Sequence, residues 1–322
     1  MDKKDFKIIF MGTPDFAVES LKNLIENNFN IVCVVTSPDK PAGRGRKINE
    51  SAVKKYAVSQ NLPVLQPTNL KDTDFQNKLN EYNADLNIIV AFRMLPESVW
   101  NMPRLGSINL HGSLLPDYRG AAPINWAVIN GETKTGVTTF FLKHEIDTGD
   151  ILFQEDIEIT ETDNAGTVHD KLMYLGAKLL VKTTQAIIDG NYKEIPQDKL
   201  LNREPKYAPK IFKQDCKIDW SKSTEKIYNL IRGLSPYPTA WSTLTDNNDK
   251  NIDFKIFNSQ KENTSHNLNY GTILSDNKKY MKIACSNGFI LITELQLSGK
   301  KRVCIEDFLR GFKNIENYKT KN

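Results

Sequence analysis

At 322 residues the chain is long enough for two domains, and its 39% hydrophobic and 25% charged composition excludes a disordered or fibrous protein. Its net charge of +4 is uneven: from Pro205 onward 20 Lys and Arg face 12 Asp and Glu, a balance of +8 that leaves −4 for residues 1–204. A basic last third suits a domain that meets a polyanion, and suits a solvated lysine-rich surface equally.

The start, MDKKDFKIIFMGTPDF, has basic residues before an apolar run, but the run is too short for a signal peptide and lacks a small-residue cleavage site. It predicts a first strand, a tight turn and a helix, with Thr13 as N-cap, Pro14 at the first helical position, and Val18, Leu21 and Ile25 on one helical face. IVCVVTS is continuously apolar, as expected of a strand covered on both faces of a parallel sheet. Helical ESAVKKYAVSQ, short PVLQP, helical DFQNKLNEY and the strand LNIIVAF continue the alternation, which predicts a doubly wound α/β sheet. After Gly106 come the strand SINLH, a loop, a helix at INWAVING, the strands TGVTTFFL and GDILFQEDIEI, and a long helix that ends near residue 188. The polar, proline-bearing stretch DGNYKEIPQDKLLNREPKYAPKI reads as a linker. Beyond it one helix, STEKIYNLIRGL, precedes short alternating segments separated by Asn, Asp, Gly and Ser, which predict a small β-barrel. No apolar stretch reaches the roughly 20 residues of a membrane span. Cys33, Cys216, Cys285 and Cys304 show neither CxxC pairing nor His partners at metal-ligand spacing, so no metal site and no disulfide framework is expected, and reducing cytoplasm is the expected compartment.

In SINLH the side chains alternate, so Ile108 and Leu110 face one way and Asn109 and His111 the other, at the carboxyl edge where α/β sheets bind ligands. Downstream, Asp147 precedes Thr148 and Gly149 in a tight turn that could aim its carboxylate inward. An amide, an imidazole and a carboxylate together suit acyl transfer: Asn109 donates to an oxyanion, His111 donates or exchanges protons, and Asp147 orients the histidine or takes a proton from an attacking amine. Each residue also has a plain structural reading, as a turn-former, a bonded histidine or a capped turn. His144, His169 and His266 lack comparable neighbours and are expected to be structural. Ser113 is not in a G-x-S-x-G elbow, so an acyl-serine route has little support. MGTPD has one Gly where a dinucleotide site needs G-x-G-x-x-G, which argues against NAD. SPDKPAGRGRK, residues 37–47, lacks the ending of a phosphate-binding P-loop. With Lys40, Arg44, Arg46 and Lys47 it reads as a mobile basic loop suited to a large anionic substrate, or as an ordinary surface loop.

The strings FMGTPDFAV, SPDKPAGRGRK, MPRLGSINLHGSLLPDYRGAAPINWA, TGVTTFF, DTGDIL and IYNLIRGLSPYPTAW resemble the methionyl-tRNA formyltransferases in order and spacing over essentially the whole chain. The resemblance implies a Rossmann-like formyltransferase domain over 1–189, a linker over 190–208 and an OB-like tRNA-binding barrel over 209–322. It implies transfer of the formyl group of 10-formyltetrahydrofolate to the α-amine of methionyl-initiator tRNA, with no metal, no membrane and no obligate protein partner. Asn109, His111 and Asp147 would be catalytic, Ser113, Leu114, Leu115 and Pro116 would line the folate site, and the loop with Lys40, Arg44, Arg46 and Lys47 would reach the tRNA acceptor arm. Where the family commonly has Ala-Tyr-Gly, this chain has Phe92 and Arg93, and Arg93 either meets the carrier's glutamate or points outward. Two rival readings are a folate-dependent formyltransferase for a small amine on a sugar or nucleotide, which leaves the basic domain unexplained, and a non-catalytic RNA-binding protein, which leaves NLHGSLLP unexplained.

Overall fold

The computed structural model describes residues 2–42, 47–201 and 203–321, and these fall into two compact units. The first comprises residues up to 120, 134–157 and 169–207; the second comprises 121–133, 158–168 and 208 onward.

In the first unit β1 (Lys7–Gly12), α1 (Asp15–Glu26), β2 (Asn30–Val35), α2 (Ala52–Ser59), β3 (Val64–Leu65), α3 (Thr73–Glu81), β4 (Leu86–Val90) and β5 (Ser107–His111) alternate as the apolar runs predict. The chain then passes through α4 (Pro123–Ile129) to β6 (Lys134–Phe141), β7 (Ile151–Glu158) and α5 (Ala165–Asp189). The sheet order is β7-β6-β5-β4-β1-β2-β3. β1 pairs in parallel with β2 and β4, β2 with β3, and β4 with β5, while β6 runs antiparallel to β5. β1 and β4 are buried almost throughout, which is why their sequences are mostly apolar; the buried polar side chain of β4, Asn87, donates to the Val99 carbonyl (3.1 Å). Ser51 and Asp72 cap α2 and α3 by accepting the N–H groups of Lys54 (3.0 Å) and Phe75 (2.9 Å).

Helix α1 departs from expectation. Pro14, not Thr13, is its N-cap, without a side-chain cap bond, and its buried stripe is Phe16, Ala17, Ser20, Leu21 and Leu24, with Val18 and Ile25 only half-buried. Small residues face the sheet here because the approach is close: a Cβ on Gly12 of β1 would lie 2.6 Å from that of Ala17. A pattern search that weights large side chains selects the neighbouring stripe. Close approach also fixes α5, because a Cβ on Gly176 would lie 2.9 Å from Leu110 of β5. Leu110 therefore faces that helix, and alternation turns Asn109 and His111 to the other face.

The second unit is a nearly closed antiparallel barrel. α6 (Thr224–Leu234) precedes β8 (Ala240–Thr245), β9 (Asn251–Glu262), β10 (Ile273–Ser275), β11 (Met281–Cys285), β12 (Gly288–Leu297), β13 (Val303–Cys304), α7 (Ile305–Gly311) and β14 (Lys319–Lys321). The order is β10-β11-β12-β9-β8-β14, β13 pairs β12, and a bridge from Thr272 to Lys319 brings the two ends together. Trp220, Ile227, Ile231, Phe254, Ile283 and Leu295 are among the buried residues of its core. α4 belongs to this unit although it lies between two strands of the other sheet: the Asn125 amide donates to the Gly233 carbonyl (2.8 Å) at the end of α6. Segment 158–168 joins it through Lys261, whose ammonium bridges Glu161 and Glu225, 2.7 Å to each. All four cysteines are free. Among the described residues no helix is long and apolar enough to cross a membrane.

Candidate active site

β5 ends by presenting Asn109, half-buried, and His111, 7% exposed. The Asn109 side-chain amide hydrogen-bonds to no described residue. His111 is held at one ring nitrogen. Nε2 lies 2.8 Å from the Tyr118 carbonyl and must donate its hydrogen there, which leaves Nδ1 facing the Asp147 carboxylate at 3.8 Å. Asp147 is buried and has φ +55°, a left-handed turn residue. The turn directs its carboxylate toward His111, and Oδ2 accepts the Gly120 N–H (2.9 Å) from the segment that follows β5. His111 and Asp147 thus come together across 36 positions of sequence, with Asn109 on the same strand face.

The loop after β5 is tied down internally. Thr138 on β6 donates to the Ser113 carbonyl (2.6 Å) and accepts the Leu115 N–H (3.1 Å), and Gln154 on β7 donates to the Leu115 carbonyl (2.8 Å). Ser113 is fully buried with its hydroxyl donated to the Asp117 carbonyl (2.7 Å), Leu115 and Pro116 are buried, and Leu114 is half-buried. Leu114 alone of these four side chains is partly open, and the Ser113 carbonyl and both backbone polar groups of Leu115 are already engaged. Arg93 neither projects as a free cation nor leaves the surface bare: its guanidinium donates to the carbonyls of Pro67 and Thr68, bracing the chain after β3.

Lys40–Ala42 and Lys47–Asn49 pair antiparallel as a hairpin, with Lys40 exposed. Arg44 and Arg46 lie outside the described residues, as does the side chain of Lys47. The hairpin base is fixed by Asp39, which pairs with Lys54 and accepts from Gln66 (2.7 Å). The Lys54 hydrogen bond, then that of Gln66, holds the Asp39 carboxyl below the usual carboxylate range. The other histidines stand apart: His144 meets Glu97 at 3.4 Å on the surface, His169 packs edge-on against Phe16, and His266 bonds the Gly288 carbonyl.

The sequence reading missed Gln197. It lies in the stretch taken for a linker, yet residues 190–207 belong to the first unit and Gln197 is 3% exposed. Its amide donates to the carbonyls of Asp147 (2.9 Å) and Gly149 (2.7 Å), and its carbonyl accepts from Arg119 Nε (3.0 Å) and Nη2 (2.7 Å). A single glutamine in a polar stretch carries no periodic signal.

Residues 6–184 match the formyl transferase family, and residues 210–313 match the formyl transferase C-terminal domain. The methionyl-tRNA formyltransferase of Bacteroides thetaiotaomicron is 56% identical over 320 residues, 99% of each chain, and that of Flavobacterium johnsoniae is 53% identical over 305 residues, 95% of this chain and 96% of the other. Among solved structures, the N-formyltransferase of Helicobacter canadensis in complex with folinic acid and dTDP-3-aminofucose is similar with a TM-score of 0.64 at 22% identity, covering 92% of this chain and all of the other. HypX of Aquifex aeolicus with tetrahydrofolic acid gives 0.62 at 17%, covering 94% of this chain and 46% of the other. At these identities the two structures speak to the fold alone.

Proposed function

Because the chain belongs to the methionyl-tRNA formyltransferases, we propose that Asn109, His111 and Asp147 move a formyl group from 10-formyltetrahydrofolate to the α-amine of methionine on initiator tRNA. The observation that carries the reading is the Asn109 amide, without a hydrogen-bond partner among the described residues, at a strand end whose next same-face residue, His111, has its one uncommitted nitrogen turned to a buried carboxylate.

The neutral amine attacks the formyl carbon, forming a C–N bond and leaving negative charge on the formyl oxygen. Asn109 donates to that oxyanion, and His111 adds a second donor through Nδ1 when protonated there. Asp147 accepts the proton the amine gives up, and His111, in contact with it, returns a proton to the carrier nitrogen as the old C–N bond breaks. Proton and charge balance close within the pair. Ser113, Leu114, Leu115 and Pro116 form the wall for the folate. The basic loop with Lys40, Arg44, Arg46 and Lys47, and the basic second unit, supply phosphate contacts to the tRNA.

Single-turnover formylation with labelled 10-formyltetrahydrofolate tests the reading, with methionyl-initiator tRNA, free methionine and an amino-sugar nucleotide as competing acceptors. Only the tRNA-borne amine should be formylated at an appreciable rate, and Asn109→Ala should slow that turnover ~10²- to 10³-fold, the effect of removing one oxyanion donor. Wild-type turnover by Asn109→Ala, or preference for the sugar amine, refutes it.

A further inference from the structure

The backbone around Asp147 is held by a closed ring of hydrogen bonds. Gly120 N–H reaches the Asp147 carboxylate; the Asp147 carbonyl accepts from Gln197; and the Gln197 carbonyl accepts from Arg119, the residue before Gly120. Every polar atom of the Gln197 amide is used, and the side chain is buried. Its own position is set independently, because Ile195 and Ile151 exchange backbone bonds of 2.9 Å in each direction and lay the returning chain beside β7. The turn needs such a brace. Asp147 sits at φ +55°, unfavourable for a residue with a side chain, and its carbonyl and that of Gly149 would otherwise be left without this donor.

We propose that Gln197 is a positioning residue for Asp147: with Arg119 it locks the 147–149 turn so that the carboxylate stays against Gly120 N–H and toward His111 Nδ1. This rests on the functional reading above. Gln197 touches neither reacting atom, and its effect passes through Asp147 alone. No other amino acid reproduces the ring. Glutamate would keep Arg119 but set carboxylate oxygens against two carbonyls, and methionine would keep the volume and lose all four bonds.

The test is a double-mutant cycle in single-turnover formylation, using the full chain with Gln197→Met, Asp147→Asn and the pair. A displacement of about 1 Å in a catalytic group costs up to ~10²-fold. Gln197→Met should therefore lower kcat ~10- to 100-fold, with the KM for folate and for tRNA within about twofold of wild type. In the Asp147→Asn background the same substitution should cost less than about twofold, because the group it positions is gone. If the two losses multiply, or if the loss appears in either KM, the proposal is overturned while the functional reading stands. If Asp147→Asn alone keeps wild-type turnover, both fall. Arg119→Met, which leaves the two carbonyl bonds intact but frees the Gln197 carbonyl, serves where Gln197→Met does not fold. It should give a smaller kcat loss that likewise vanishes with Asp147→Asn, and a loss that persists there overturns the proposal.

Discussion

Gly149→Ala isolates the dependence of the site on backbone proximity. A Cβ at this position would lie 1.6 Å from the Phe141 carbonyl oxygen and 2.8 Å from its carbon, where real contacts essentially never fall below 3.0 Å. The obstacle is backbone of β6, not the end of a flexible side chain, so relief requires the turn to move by about 1.4 Å. Phe141 N–H is itself bonded to the Asp150 carbonyl at 3.2 Å, so the strand cannot yield without loosening its pairing with the turn. Overpacking of this kind costs ~1–3 kcal/mol of stability. The larger effect falls on Asp147, two residues away: a shift of this size at the carboxylate proposed above as catalytic should lower kcat ~10²-fold. Gly311→Ala, where a Cβ meets nothing within 4 Å, is the control and should leave both quantities near wild type. Thermal melts and single-turnover formylation read the two effects. Wild-type melting and turnover by Gly149→Ala would refute the reasoning, since a free 1.6 Å overlap is physically impossible.

Three further expectations follow from the charges. Asp117 accepts from Arg203 Nη1 and the Lys206 N–H at 2.9 Å each; burial pushes its pKa up, but these bonds outweigh burial and hold it below the usual range. Its contribution is therefore present above the unfolded pKa of ~3.9 and lost as pH falls through the lower folded value. Asp117→Asn should reduce stability by ~1–2 kcal/mol at pH 7, with a difference from wild type that closes in acid; a pH-independent gap in urea melts would contradict this. Lys261 has the opposite sign: burial lowers its pKa, but Glu161 and Glu225 outweigh burial and raise it, so its contribution is present below ~10.4 and lost as pH rises beyond the folded value. Lys261→Met should cost ~1 kcal/mol at pH 7 in low salt, less in high salt, because both glutamates are largely exposed; equal melting at both salts would contradict it. Arg44→Ala should raise the KM for tRNA and flatten its salt dependence by about one counterion, leaving the folate KM unchanged; a loss confined to folate would remove the loop from tRNA recognition.

Local pattern was sufficient wherever one element's own periodicity decides the outcome. The buried runs of β1, β2 and β4 read as strands because a strand covered on both faces is predominantly apolar. Alternation in Ser107–His111 alone puts Asn109 and His111 on one face, and the motif strings name the family. Periodicity failed for α1, where close approach selects Ala17 and Ser20 over larger neighbours, and for α4, whose place between two sheet strands hides its membership of the other unit.

What the amino-acid order determined by itself is the main alternation of strands and helices in the first unit, the placing of Asn109 with His111 on one strand face, and the expectation that Asp147 lies in a turn. Tertiary structure alone decided where that turn points. The bonds that aim Asp147 come from Gly120 N–H, 27 positions away, and from Gln197, 50 positions away, and neither partner belongs to a repeating pattern. A backbone N–H is common to nearly every residue and a lone glutamine has no period, so their roles exist only once the fold has brought them together.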